Sequence, residues 1–99
     1  MLLAIDIGNT NVVLGVFDKE TLVENWRVGT NTQITPDEYA IIFKDLFGFA
    51  GLEFKQITGV IISTVVPPLL PVMAEMSRKY FRIDPMVVTH EIKTGMTIR

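Results

Sequence analysis

The sequence predicts an α/β fold with the element order βββαβαβ, a mixed five-stranded sheet flanked by helices. Three observations predict it. Aliphatic and β-branched runs joined by tight polar turns fill residues 2 to 28. The stretch "TPDE" at 35–38 then switches the apolar spacing from strand-like to three and four. A continuous apolar run, "GVIISTVV" at 59–66, follows the helical stretch as a buried strand of a parallel sheet would.

Each element has a local cause. Leu2 to Ile7 and Val12 to Phe17 flank Gly8-Asn9-Thr10-Asn11, a spacing and turn chemistry that predict a β-hairpin. Asp18-Lys19-Glu20 makes a second turn. Leu22 to Val28 then forms a third antiparallel strand, whose polar Glu24, Asn25 and Arg27 suit a partly wet edge. Thr35 with Glu38 forms a capping box, Pro36 takes the first helical position, and Asp37 places negative charge where the helix dipole favours it. The helical stripe is Tyr39, Ile42, Phe43, Leu46, Phe47 and Ala50, with Gly48 or Gly51 as the stop. The run 59–66 is expected to lie centrally, buried on both faces. Pro67, Pro68 and Pro71 open a second helix with the stripe Leu69, Val72 or Met73, Met76 and Tyr80, and with Arg78, Lys79 and Arg82 near its carboxyl end. Asp84-Pro85 ends it, Met86 to Thr89 is a fifth strand, and "HEIKTGMTIR" shows no clear pattern.

Composition bounds the function. At 99 residues the chain holds one domain or part of one, and 48% hydrophobic with 20% charged residues permits a filled core. The net charge is −2 and Lys and Arg are not clustered, so nucleic acid is not an expected partner. There is no cysteine, hence no disulfide framework or thiolate metal site, and no basic segment precedes the first apolar run as in a signal peptide. A cytoplasmic protein is expected. The apolar run "VIISTVVPPLLPVM" is interrupted by proline and falls short of the roughly 20 residues of a membrane helix, so no membrane span is expected. "TGMTIR" at the end reads as the entry to something further on. Residues 1–99 are therefore expected to be an N-terminal lobe, truncated, with a second lobe absent from the chain.

Asp6 is the unusual residue. In strand geometry Leu2, Ala4 and Asp6 share one face, which predicts a carboxylate enclosed by apolar neighbours. Such a charge persists when a cation, donors or water compensates it, and Mg²⁺ with its water shell is a natural partner. The next residues supply a complementary tool. Gly8 allows close backbone approach, Asn9 and Thr10 carry donors, and the turning backbone from Gly8 to Asn11 can aim N–H groups at an anion. Together they describe a site for a metal–polyphosphate. The competing reading is ordinary turn chemistry beside a surface aspartate. No Gly-Lys-Ser/Thr follows, so the stretch is not a Walker loop, and Gly-x-Gly-x-x-Gly is absent.

The first strand with Asp-x-Gly, the hairpin, the third strand and the alternation after it resemble half of the acetate/sugar kinase, Hsp70 and actin superfamily, with its ribonuclease H-like, actin-like ATPase lobe. Within it, "DIGNTN" at Asp6 to Asn11 and "STVVPPL" at Ser63 to Leu69 are similar to type III pantothenate kinase, and the likeness spans essentially the whole chain.

That resemblance implies transfer of the ATP γ-phosphate to pantothenate, giving 4′-phosphopantothenate in the first step of coenzyme A biosynthesis. It implies Mg²⁺, a monovalent cation (K⁺ or NH₄⁺) and a cytoplasmic homodimer. Carried over, Asp6 would hold Mg²⁺ through water, Gly8, Asn9, Thr10 and Asn11 would line the ATP phosphates, and Ile7, Val12 and Val13 would adjoin. Members of the family are longer, and their general-base aspartate and second phosphate motif come later. No catalytic residue is matched in this chain, and residues 1–99 alone are expected to be inactive. The alternative is a non-catalytic nucleotide-binding or regulatory module of the same fold, like the Bvg accessory factors.

Other residues have plainer roles. Ser63 and Thr64 are weighted towards structural hydrogen bonds, with a place near a ligand as the second reading. His90 stands alone, Trp26 reads as a packing anchor, and Asp37, Glu38 and Glu53 read as caps and solvated surface.

Overall fold

The computed structural model describes residues 1–88. Its strands are β1 (Leu2–Ile7), β2 (Asn11–Asp18), β3 (Thr21–Gly29), β4 (Gly59–Thr64) and β5 (Met86–Val88), and its helices are α1 (Pro36–Phe49) and α2 (Leu69–Met76). A 3₁₀ turn spans Phe54–Gln56, and a π turn, Ser77–Phe81, continues α2. The strands form one sheet in the order β3-β2-β1-β4-β5. β1 pairs antiparallel with β2 and parallel with β4, and β5 is parallel to β4. The expected mixed sheet and element order are therefore present. Thr89, His90 and the rest of the tail lie outside the described residues.

Strand alternation decides which face is covered. Leu3, Ile5 and Ile7 of β1, Val12, Leu14 and Val16 of β2, and Val60 and Ile62 of β4 are buried on one face. Tyr39, Phe43 and Phe47 of α1 and Leu69, Met73 and Met76 of α2 close over them in one core cluster. The opposite face carries Asp6, Val13 and Leu22, all exposed.

This layering corrects the expectation for residues 59–66. β4 does lie inside the sheet, between β1 and β5, but it ends at Thr64 and is buried on one face only. Both helices pack on the same face, so Ile61 and Ser63 on the other are only half-buried. The early end has a local cause. The Val66 N–H donates to Thr64 Oγ1 at 2.7 Å and the Thr64 hydroxyl donates to the Val66 carbonyl at 3.1 Å, a side-chain turn that leaves the ladder just before Pro67.

The start signals read for α1 are used as read. The Glu38 N–H donates to Thr35 Oγ1 at 3.2 Å, and Glu38 Oε1 accepts the Thr35 N–H at 2.8 Å. At the other end Gly51 takes φ +74°, a left-handed conformation that favours glycine. The Leu52 N–H then reaches the Phe47 carbonyl and the Gly51 N–H reaches that of Gly48, the double closure of a Schellman end. Gly51, rather than Gly48, is the stop.

α2 departs in register. It begins at Leu69, with Pro71 in the first turn, where a missing N–H is tolerated. Met73 rather than Val72 is fully buried. The widened π turn then brings Phe81, not Tyr80, into the core, so the predicted stripe fails at its last position. Phe81 joins an aromatic cluster centred on Phe47, whose ring lies 5.4 Å from Trp26, 5.1 Å from Phe54 and 6.0 Å from Phe81. Trp26 is the packing anchor its position suggested.

Candidate functional site

Parallel pairing of β1 with β4 sets Asp6 opposite Ser63 and Ile7 opposite Thr64. Both strands end here, and the crevice beyond the carboxyl ends of parallel strands is where open α/β sheets take ligands. The Ser63 hydroxyl donates to Asp6 Oδ1 at 2.8 Å. Asp6 itself is exposed on the uncovered face, which corrects the expectation of an enclosed carboxylate. Its exposure keeps the charge within reach of solvent, and the Ser63 hydroxyl gives it a hydrogen-bond donor.

The β1–β2 turn is tight. The Gly8 N–H donates to the Asn11 carbonyl at 2.8 Å, and a Cβ on Gly8 would stand 3.1 Å from that oxygen. Glycine is what lets the backbone close there. The same bond modifies the expectation that all four residues aim N–H groups at an anion, because the Gly8 N–H is engaged within the turn. Asn9 and Thr10 are exposed at its crest, and the Asn11 side-chain amide donates to Thr10 Oγ1 at 3.2 Å. Val13 is exposed on the face that carries Asp6 and stands opposite it in register. Ile7 and Val12 point into the helix-side core, so only their main chain borders the turn.

Sequence reasoning missed Thr30. Its hydroxyl donates to the Gly8 carbonyl at 2.7 Å and its N–H donates to the Thr10 carbonyl at 3.0 Å. A signal existed: β2 and β3 pair with Asn11 opposite Gly29, and one further step sets Thr30 beside Thr10. Ser63 was weighted towards a local structural bond and instead meets the carboxylate. Thr64 does make the local turn.

Some charged groups elsewhere are paired on the surface. Asp37 accepts from Lys79 Nζ at 2.9 Å and from the Tyr80 hydroxyl, an exposed cluster joining α1 to the π turn. The Tyr80 hydrogen bond and then Lys79 hold the Asp37 carboxyl below the usual carboxylate range, while Asp37 raises Lys79 and Tyr80 above theirs. Glu53 caps the 3₁₀ turn and stands 3.2 Å from Lys55 on the surface.

Among the described residues no three His, Cys, Asp or Glu side chains are grouped to hold a metal. One exposed carboxylate with an adjoining hydroxyl fits a cation that keeps most of its water, as Mg²⁺ does, better than one needing a full protein cage. An apolar groove of about 630 Å³, lined by Ile41, Lys44, Phe47, Phe54 and Tyr80 among others, lies on the helix side and shares no residue with the turn. Among the described residues no helix is long and apolar enough to cross a membrane.

Comparison with known proteins adds to this geometry. The family model described as type III pantothenate kinase matches residues 2–99. Type III pantothenate kinases of Halalkalibacterium halodurans and Geobacter sulfurreducens are 50% and 54% identical over 99 residues, in each case all of this chain and 39% of the relative. That of Citrifermentans bemidjiense is 53% identical over 98 residues, covering 99% of this chain and 39% of the relative. The chain thus spans well under half the length of these relatives. Among solved structures, the ROK hexokinase of Thermus thermophilus superposes with a TM-score of 0.65 at 16% identity, covering 89% of this chain and 33% of that one. A putative N-acetylglucosamine kinase of Porphyromonas gingivalis gives 0.64 at 16% identity, over 90% of this chain and 34% of that one. These two likenesses concern the fold alone.

Proposed function

The chain belongs to the type III pantothenate kinase family, and on that premise we propose that the protein transfers the γ-phosphate of ATP to the primary hydroxyl of pantothenate. The product, 4′-phosphopantothenate, makes this the first step of coenzyme A biosynthesis. The observation that carries the proposal is the juxtaposition of Asp6 and the Gly8–Asn11 turn at the carboxyl end of β1, where a carboxylate stands beside a tight turn with Asn9 and Thr10 exposed at its crest.

Each residue has a role in that reading. Asp6, with one oxygen oriented by Ser63, would hold Mg²⁺ through its water. When bound, that ion supplies charge neutralisation on the β- and γ-phosphates. Gly8 lets the phosphates approach the main chain, Asn9 and Thr10 offer donors from the exposed crest, and Asn11 orients the Thr10 hydroxyl. Ile7, Val12 and Val13 border this cradle. Such a site works by positioning and electrostatic complementarity along an in-line displacement. No residue of this chain is assigned as the general base or as a ligand of the monovalent cation, K⁺ or NH₄⁺, that the family likeness adds. A cytoplasmic homodimer belongs to the same proposal.

The test is a coupled assay of pantothenate-dependent ADP release by the full-length protein with Mg²⁺, ATP and K⁺. Turnover that requires pantothenate, and that glucose or acetate does not replace, is the expected result. Binding of MgATP without phosphorylation of pantothenate would overturn the kinase reading in favour of a nucleotide-binding module.

A further inference from the structure

We propose that Thr30 is a positioning residue for the phosphate turn, held in place in its turn by the buried hydroxyl of Tyr39. This inference rests on the reading of Gly8–Asn11 as the phosphate cradle. Thr30 is the first residue beyond β3 and reaches two carbonyls of the turn, Gly8 through its hydroxyl and Thr10 through its N–H. A trans peptide unit carries its C=O and the following N–H on opposite edges. Fixing the Gly8 and Thr10 carbonyls towards Thr30 therefore turns the N–H groups of Asn9 and Asn11 away from it. An anion approaching from that side meets N–H groups instead of carbonyl oxygens, which is the requirement of a backbone phosphate cradle.

The anchor continues inward. The Tyr39 hydroxyl accepts the Asn31 N–H at 3.0 Å and donates to the Asn31 carbonyl at 3.0 Å, so both main-chain polar groups of the residue after Thr30 are held by one side chain. Tyr39 is fully buried on the core stripe of α1 with its ring against Phe43, a fixed support. The chain from core to crest runs Tyr39, Asn31, Thr30, turn.

Three variants of the full-length protein test this. Thr30→Val keeps the shape and the N–H but removes the hydroxyl, Thr30→Ser keeps the hydroxyl, and Tyr39→Phe removes the support while keeping the ring. In Thr30→Val the KM for ATP is expected to rise about tenfold, the size of one lost hydrogen bond with an orphaned carbonyl. The KM for pantothenate is expected to stay within about twofold, and Thr30→Ser to remain near wild type in both. In the ligand-free protein, amide hydrogen exchange at Asn9 and Asn11 should be about tenfold faster in Thr30→Val. Tyr39→Phe should move the same amides in the same direction, which keeps the test open if Thr30→Val does not fold. Unchanged exchange at the turn in the variants overturns the proposal whatever happens to activity. A lowered melting midpoint with an unchanged KM for ATP also overturns it, leaving Thr30 as a structural closure only. A wild-type protein that takes up no ATP would instead overturn the kinase reading, while exchange at the turn still decides the role of Thr30.

Discussion

Asp6 and Gly8 stand two positions apart and meet different physical demands. Asp6 needs compensation of its charge, to which the Ser63 hydroxyl contributes a hydrogen bond. Gly8 needs the absence of a side chain, because a Cβ would press on the Asn11 carbonyl. The charge at Asp6 is the part that the proposed chemistry uses. Asp6→Asn, which keeps size and hydrogen bonding, is therefore expected to lower kcat/KM for MgATP about a hundredfold, read in the coupled assay. Ser63→Ala should act more weakly, raising the KM for MgATP about fivefold, because it loosens the orientation of a carboxylate that water still solvates. Equal losses in the two variants would count against a supporting role for Ser63. At this scale Asp6, Gly8, Asn9 and Thr10 were legible, because a charged residue in an apolar strand and a turn signature are local. Ser63 and Thr30 were not, since their partners lie 57 and 22 residues away.

Among the elements, α1 was the most completely written into the sequence, from the Thr35–Glu38 capping box to the Gly51 stop. Asp37 reads as a first-turn acid and also ties the helix to Lys79 and Tyr80 across the fold. The pH dependence of that tie follows from the direction of each shift. Asp37 has a depressed folded pKa, so its contribution is present above the ordinary aspartate value of about 4 and is lost as pH falls through the folded value. Lys79 and Tyr80 have raised folded pKa values, so theirs is present below about pH 10 and is lost as pH rises through the folded values. Thermal melts of wild type and Asp37→Asn should accordingly differ by about two degrees across neutral pH, a small effect because the cluster is exposed and screened. The difference should vanish towards acid and shrink in strong alkali. A gap that persists at pH 2 would show that the charge of Asp37 is not its cause. α2 was less legible, because a π turn depends on packing demands that no cap or turn residue announces.

At the scale of the whole fold, the helices among the described residues cover one face of the sheet, and the core on that face converges on Phe47. Its ring touches Trp26 from β3, Phe54 from the 3₁₀ turn and Phe81 from the π turn, so three separate stretches are joined through one side chain. Phe47→Ala is expected to lower the unfolding free energy by about 3 to 5 kcal/mol in urea titrations, the range for a fully buried phenylalanine whose cavity cannot collapse. A loss near 1 kcal/mol would mean that Phe54 and Phe81, already stacked at 4.2 Å, close the gap by themselves. The sheet order and the parallel β1–β4 pair belong to this scale too. They set the carboxyl ends of both strands, the Gly8–Asn11 turn and Thr30 at one edge of the molecule.

The sequence by itself determined what depends on neighbouring residues: the hairpin turn, the capped start of α1, the βββαβαβ order, and the place of Asp6 just before that turn. Turn chemistry, capping and apolar period are settled within a few residues of chain, so they can be read before any contact is known. Only the tertiary structure decided that Asp6 lies exposed, that β4 is buried on one face alone among the described residues, and that Ser63 meets Asp6 while Thr30 meets the Gly8–Asn11 turn. Those facts come from strand register and from the side of the sheet on which the helices pack. Residues distant in sequence set both, through contacts that exist only once the chain has folded.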